Sequence, residues 1–174
     1  ANVLQVLGYS DQGLTRLHEA LTRARELAHP FTLAYAHFQA ADFHRARRDG
    51  QATQRHAEAL ITLAREHGFA QRLAQGMFQR GWALTIQGRV AEGIGQMRQG
   101  LAAHRATGAK LGEPGRLATL AEAHGHAGQV EEGLHLVAEA LAVVATNGER
   151  QREPELHRIK GALLLLQTAG TQRA

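Results

Sequence analysis

Apolar side chains recur along this chain every three or four residues, which is the spacing that one face of an α-helix requires. Between residues 69 and 87 the residues with this spacing are Leu73, Ala74, Met77, Phe78 and Leu84. A second helix with the same pattern is predicted from Val90 to Thr107. No window alternates β-branched with polar residues, so the pattern predicts an all-α chain.

Short phrases that begin and end with glycine separate the predicted helices. They are Gly88-Arg-Val-Ala-Glu-Gly93, Gly128-Gln-Val-Glu-Glu-Gly133 and, more loosely, Gly8-Tyr-Ser-Asp-Gln-Gly13. With a fourth turn expected at Gly50, the opening glycines are 42, 38 and 40 residues apart. A period near forty residues predicts one helix pair copied several times. Stacked antiparallel pairs of this kind would form a solenoid with long binding surfaces.

The copies divide the chain into the predicted units of a single repeat domain. These units are residues 1–30, 31–68, 69–108, 113–148 and a partial unit at 153–174. The last helix is expected from near Pro154 to about Gln167, followed by a frayed end. Because the chain opens in what reads as the tail of a helix, we expect a fragment of a larger protein.

Glycines also recur inside the second helix of three of the pairs. Gly13, Gly93 and Gly133 each lie five residues after a turn glycine. A glycine within a helix costs on the order of 1 kcal/mol relative to alanine. Its recurrence at one phase therefore predicts close packing of two backbones.

Composition and charge narrow the classes of function. The chain has no cysteine, and its apolar runs, such as residues 162–166, are far shorter than a membrane span. Both features fit a cytoplasmic protein. The net charge is +4, but the arginines are scattered rather than clustered, so a nucleic-acid partner is disfavoured.

Candidate chemistry is sparse. No phosphate-binding loop occurs, and the only serine, Ser10, is read as a helix cap. His124 and His126 would point about 200° apart on a helix, while His37 and His44 could share a face without a third ligand. We therefore expect no enzyme activity, no metal site and no cofactor.

The repeat resembles the tetratricopeptide repeat. The small residues Gly81, Gly88, Gly93 and Gly100 match the small-residue positions of that family, although the period here is nearer 40 than 34. The resemblance implies a right-handed solenoid of antiparallel helix pairs. It also implies a protein-interaction fold in which the first helix of each pair lines a concave groove.

A narrower resemblance covers almost the whole chain. Segments such as Arg80-Gly-Trp-Ala-Leu, Gly93-Ile-Gly-Gln-Met-Arg-Gln-Gly and Leu120-Ala-Glu-Ala-His-Gly are similar to one group of proteins. That group is the C-terminal repeat region of bacterial signalling proteins that join a class III adenylate/guanylate cyclase to a regulatory ATPase. The resemblance implies a sensing or scaffolding arm, and neither catalytic motif is present in this chain.

Carried onto this sequence, the concave groove gives a set of expected partner-binding residues. They are His37, His44, Arg47, Gln75, Phe78, Trp82, Thr85 and Glu122. Trp82, the only tryptophan, is either the anchor of this groove or a core residue between adjacent pairs.

The expected function is a regulatory and scaffolding module that binds a peptide or a domain of an unknown protein partner. A small-molecule-sensing domain would use the same groove. A self-association arm is the third alternative, because the last helix (Leu156, Ile159, Leu163, Leu164, Leu166) lacks a partner in the sequence and could form a homodimer.

Overall fold

The computed structural model describes residues 1–171, with side chains through Ala169, and every regular element within that range is helical. The helices are α1 (Asn2–Val6), α2 (Ser10–Glu26), α3 (Pro30–Ala46), α4 (Gly50–Glu66), α5 (Ala70–Ile86), α6 (Val90–Ala106), α7 (Glu113–His126), α8 (Val130–Asn147) and α9 (Glu153–Thr171). A 3₁₀ turn at Arg150–Arg152 leads into α9. The predicted all-α class is confirmed.

The helices follow a rhythm of twenty residues. Helices α2 to α6 begin at residues 10, 30, 50, 70 and 90, and each is 17 residues long. A residue with positive φ recurs at the same interval, at positions 8, 28, 48, 68, 88, 108, 128 and 148. Two helices and their two connections therefore span forty residues, the period that the glycine phrases indicated.

The turn expected at Gly50 lies two residues earlier. Arg48 has the positive φ of 57° there, and Asp49 follows it as the N-cap of α4. The Asp49 side chain accepts a hydrogen bond of 2.9 Å from the backbone N–H of Ala52, which fixes the start of the helix. Gly50 is thus the buried first residue of α4, where a methyl group would lie 3.2 Å from Cγ2 of Ile86. The glycine at position 50 therefore allows close packing against Ile86 and does not form the turn.

The chain forms two compact units, Ala1–Gly108 and Ala109–Ala174. In the first unit, α5 and α6 approach most closely through their glycines. A methyl group on Gly81 would lie 2.7 Å from the carbonyl oxygen of Gly93, and one on Gly100 would lie 2.7 Å from the backbone nitrogen of Phe78. The contacts run in opposite directions along the two helices, so the pair is antiparallel. The packing interpretation of the helix glycines is confirmed.

The second copy packs with larger side chains. Forty residues before Gly93 and Gly100, helix α4 carries Thr53 and Leu60, both fully buried. The second copy departs from the repeat pattern at these positions, because larger side chains replace the two glycines.

The second unit contains α7, α8 and α9. The Leu163 side chain of α9 reaches Gly125 on α7 and Gly133 on α8, so these glycines accommodate the third helix. Helix α9 continues to Thr171, four residues beyond the predicted end at Gln167, so its predicted frayed end is helical over residues 168–171. Residues 172–174 of that predicted end lie outside the described residues.

Candidate interaction surface

Two of the expected groove residues lie inside a helix pair. His37 and His44 are seven residues apart on α3, and both rings reach His56 on α4. The Nδ1 atoms of His37 and His56 are 3.1 Å apart. The His44 ring stacks on that of His56, with centroids 5.5 Å apart and planes inclined by 11°. We call these three residues the histidine cluster.

The surroundings of the histidine cluster favour neutral rings. Burial lowers the pKa of His37 below 6.5, and the charge of Arg25 lowers it further. Burial also lowers the pKa of His56 to about 4, with His37 and His44 adding to the effect. For His44 burial again lowers the pKa, while Asp49 opposes the shift. Since one ring must donate and the other accept in the His37–His56 contact, both cannot be protonated while it persists.

Three of the expected residues on α5 are buried. Phe78 and Trp82 expose only 5% and 6% of their surface. Gln75 is buried as well, and its Oε1 accepts a hydrogen bond of 2.7 Å from Nη1 of Arg72. The core alternative considered for Trp82 agrees with its burial. Its role in partner binding stays a prediction.

The remaining expected residues are more accessible. Arg47, at the end of α3, is exposed and lies 5.9 Å from the centroid of the Phe43 ring. Thr85 packs against Gly93, and its hydroxyl donates to the carbonyl of Trp82. In the second unit, Glu122 of α7 lies 3.5 Å from Nη2 of Arg158 on α9.

A different group of residues dominates the surface that α3 shares with α5. The guanidinium of Arg72, on α5, lies against three aromatic rings of α3. Its central carbon is 5.2 Å from the ring centroid of Phe31, 4.8 Å from that of Tyr35 and 5.5 Å from that of Phe38. We call these four residues the Arg72 cluster. Phe69 extends it through an edge-to-face contact with Phe31 at 5.3 Å.

Polar side chains continue this surface along α3 and α5. Asp42 pairs with Arg45 at 2.7 Å and lies 3.5 Å from Nε2 of Gln79. Asn2, on α1, donates to Oε1 of Gln39 at 3.1 Å. The surface therefore combines aromatic rings at one end with amide and carboxylate groups at the other.

The sequence carried a signal for the Arg72 cluster. Phe31, Tyr35 and Phe38 are spaced by four and three residues, which places them on one helix face. Arg72 lies in the equivalent helix one copy later. The aromatic face was missed because the family register assigned His37 and His44 to the groove.

A cavity that shares Tyr35 with the Arg72 cluster lies between α1, α2 and α3. It has a volume of about 450 Å³ and a mostly apolar lining that includes Leu17, Ala20, Leu27 and Tyr35. Its volume falls within the range of small-molecule pockets.

Other kinds of site receive little support from the described residues. Within them, no three histidine, cysteine, aspartate or glutamate side chains are arranged to hold a metal ion. None of the described helices is long and apolar enough to cross a membrane.

Comparison with known proteins supports the fold. The chain is similar to a crystal structure of a Podosopora anserina protein assigned as a kinesin light chain with nearly identical TPR-like repeats. The TM-score is 0.64 at 20% identity, over 99% of this chain and 84% of the other. A single-substitution variant of that protein gives the same values. The chain therefore has a tetratricopeptide-like fold of packed helix pairs. No protein-family model matches it, and no curated protein matches it either.

Proposed function

We propose that this chain is a protein-interaction and scaffolding module, and that α3 and α5 form the groove that binds a peptide or a domain of a partner. The support is twofold. The tetratricopeptide-like fold presents its first helices side by side, and here those two helices carry the Arg72 cluster and the neighbouring polar groups. The partner contacts that the sequence predicted for Gln75 and Arg47 are part of this proposal.

The observation that carries the proposal is the exposure of the aromatic rings. Phe31 and Tyr35 remain 45% and 44% exposed although they lie in a packed cluster. Rings that are rigid but accessible lose little conformational entropy on binding, and aromatic and arginine side chains dominate binding hot spots. The surface therefore has the composition of an interface rather than of an ordinary solvated helix face.

Peptide selection tests this proposal. A random heptapeptide phage library would be panned on the immobilised chain, and fluorescein-labelled copies of the selected peptides would be titrated by fluorescence anisotropy. We expect Tyr35→Ala to weaken their binding about tenfold or more, as for a hot-spot aromatic residue. Tyr9→Ala is the matched control, since Tyr9 is 55% exposed between α1 and α2. Failure to select peptides, or equal losses in both variants, would argue against the groove.

The narrower resemblance supplies a biological context for this module. We propose that it is a regulatory, non-catalytic arm of a cytoplasmic bacterial signalling protein with a class III cyclase and an ATPase domain. The support is the set of sequence segments similar to that group. Sequencing the complete reading frame tests it: a cyclase and an ATPase encoded upstream would agree, and other domains would not.

Self-association is a second candidate because one face of α9 remains open. Leu156, Ile159 and Leu163 are buried, whereas Leu165 and Leu166 are 72% and 50% exposed. Light scattering during size-exclusion chromatography measures the mass directly. A dimer that Leu165→Lys converts to a monomer would favour this candidate, and a monomer at all concentrations would remove it.

The cavity between α1, α2 and α3 favours a small-molecule sensor as a third candidate. Its volume of about 450 Å³ and apolar lining suit a small apolar ligand. A metabolite screen read by Tm would favour this candidate if a ligand raised the Tm of the wild type but not of Ala20→Trp, which would fill the cavity. A screen without such a ligand would count against it.

A further inference from the structure

The surroundings of Arg72 differ from those of several arginines of the first unit. Arg16, Arg45 and Arg89 each pair with a carboxylate three residues away on the same helix or turn. Among the described residues, no carboxylate lies within ion-pair distance of Arg72. Its Nη1 donates to Gln75, and its buried Nε has no hydrogen-bond partner.

This environment leaves a positive charge incompletely compensated. Burial lowers the pKa of the Arg72 guanidinium, with Tyr35 acting in the opposite direction. The guanidinium still carries its charge at neutral pH, because arginine is not deprotonated in proteins. Contacts with the faces of Phe31, Tyr35 and Phe38 offset part of the desolvation cost. A carboxylate would compensate the charge more fully through short, charge-assisted hydrogen bonds.

The charge of the surrounding unit favours the same kind of ligand. Residues 1–108 contain thirteen arginines and eight acidic residues, a formal net charge of +5. Residues 109–174 contain seven basic and eight acidic residues, a formal net charge of −1. An acidic segment is therefore attracted to the unit that holds the Arg72 cluster.

We propose that the Arg72 cluster is a carboxylate-binding subsite for an acidic segment of a protein partner. This proposal rests on the proposed function and specifies its ligand. A Glu or Asp side chain of the partner binds the guanidinium, while a neighbouring apolar side chain packs on the exposed edges of Phe31 and Tyr35. Nucleic acid fits less well, because Arg72 already covers the ring faces on which bases would stack.

A double-mutant cycle between peptide and protein tests the subsite. The peptides selected on the wild-type chain would each be synthesised again with their acidic residues changed to Gln or Asn. We expect acidic residues to be enriched in the selected peptides. We also expect neutralisation to weaken binding to the wild type about tenfold or more, as for a hydrogen bond to a charged group. Binding to Arg72→Gln should be weak for both peptides of a pair and nearly equal, because the interaction is already lost.

Arg65→Gln is the matched protein control. Arg65 is an exposed arginine of α4, so its loss changes the net charge equally without touching the Arg72 cluster. We expect this variant to retain the tenfold preference for the acidic peptide. If Arg72→Gln does not fold, equal binding of the acidic and neutral peptides to the wild type would still overturn the subsite.

Three outcomes would overturn the subsite. In the first, the binding of the selected peptides depends on Tyr35 but not on the carboxylates of the peptides. This result would rule out the subsite and leave the proposed function intact. The second is the absence of any selected peptide, which removes both. The third is a labelled 12-nucleotide DNA that binds through Arg72 while the peptides do not, which would identify a nucleic-acid site instead.

Discussion

Two glycines in α6, only two residues apart, lie in opposite environments. A methyl group on Gly93 would lie 2.5 Å from the carbonyl oxygen of Gly81, against backbone that cannot move without separating α5 from α6. A methyl group on Gly95 would meet no atom within 4 Å. The two positions therefore separate the packing role of a helix glycine from its effect on helix propensity.

We predict that Gly93→Ala lowers the free energy of unfolding by about 1 to 3 kcal/mol, because the added methyl overpacks the α5–α6 contact. Gly95→Ala should raise it by up to about 1 kcal/mol, because alanine favours the helix. Urea denaturation followed by circular dichroism measures both values. Equal shifts of the same sign would contradict the close approach of the two helices.

At this scale the sequence identified the packing glycines but not every turn. Ala28 and Arg48 occupy positive-φ positions at φ values of 48° and 57°, where glycine is found at the other turns. A left-handed conformation costs a residue with a Cβ atom roughly 1 to 2 kcal/mol. Alanine and arginine at these two positions therefore do not indicate a turn. Only the spacing of twenty residues, which becomes visible once the helices are placed, identifies these two turns.

Helices α3 and α4 are joined by a group of titratable residues. The histidine cluster also faces Arg25 and His18 of α2, Arg47 at the end of α3, and Arg55 and Asp49 from α4 and its N-cap. All three pKa values are lowered in the folded chain. The unfolded chain therefore binds more protons than the folded chain once the pH falls below 6.5.

We predict that stability decreases as the pH falls from about 7 toward 4, because protonation at the cluster favours the unfolded state. One pKa unit corresponds to 1.36 kcal/mol, and solvent screening reduces this value at the half-buried His56. We expect the free energy of unfolding to fall on the order of 1 to 2 kcal/mol from this residue. Urea denaturation at pH 7.5, 5.5 and 4.5 measures the decrease.

His56→Gln should make the pH dependence shallower, because it removes the group with the largest lowering of the pKa. His135→Gln is the matched control on α8, where the side chain is exposed. We expect this control to keep the slope of the wild type. A wild-type stability that rose as the pH fell toward 4.5 would contradict the neutral cluster.

Helix α9 offers a second contrast between neighbouring residues. Leu163 is 2% exposed and packs against glycines of α7 and α8, whereas Leu165 is 72% exposed. We predict that Leu163→Ala lowers the free energy of unfolding by about 2 to 5 kcal/mol through the cavity it creates. Leu165→Ala should change it by less than about 0.5 kcal/mol. Thermal denaturation of the two variants tests the assignment, and a larger loss at Leu165 would reverse it.

Helix phase explains why the candidate surface was only partly predicted. The positions expected to line the groove on α3 were 37, 44 and 47, whereas the rings beside α5 are at 31, 35 and 38. A difference of two residues rotates a side chain by about 200° around a helix. His37 and His44 consequently lie in the α3–α4 pair. Burial pattern alone could not resolve this phase, because α3 is apolar on several faces.

At the scale of the whole molecule, the repeat period was sufficient to predict most of the fold. A spacing near forty residues, glycines at turns and the absence of alternating patterns were enough to predict helix pairs. Structural similarity at 20% identity agrees with that prediction. The ligand was not predictable in the same way, because it depends on which side chains occupy the shared helix faces rather than on the repeat that positions them.

The distribution of arginines leads to a last prediction about partners of the whole chain. A net charge of +4 could attract nucleic acid, but many arginines share their charge with an acid. Examples are Arg16 with Glu19, Arg45 with Asp42 and Arg158 with Glu155, at distances from 2.6 to 2.8 Å. Binding to nucleic acid requires several cations that can release counterions from neighbouring phosphates. Paired arginines contribute little to that release.

We therefore predict that labelled 30-nucleotide DNA, single- or double-stranded, binds the chain more weakly than about 10⁻⁴ M at 150 mM NaCl, the weak end of non-specific binding. Fluorescence anisotropy at 50 and 150 mM NaCl measures both the affinity and its salt dependence. A micromolar Kd that weakened steeply with salt would show that the arginines act together as a nucleic-acid surface. Weak binding at both concentrations, together with carboxylate-dependent peptide binding, would instead assign the positive charge of the first unit to an acidic protein partner.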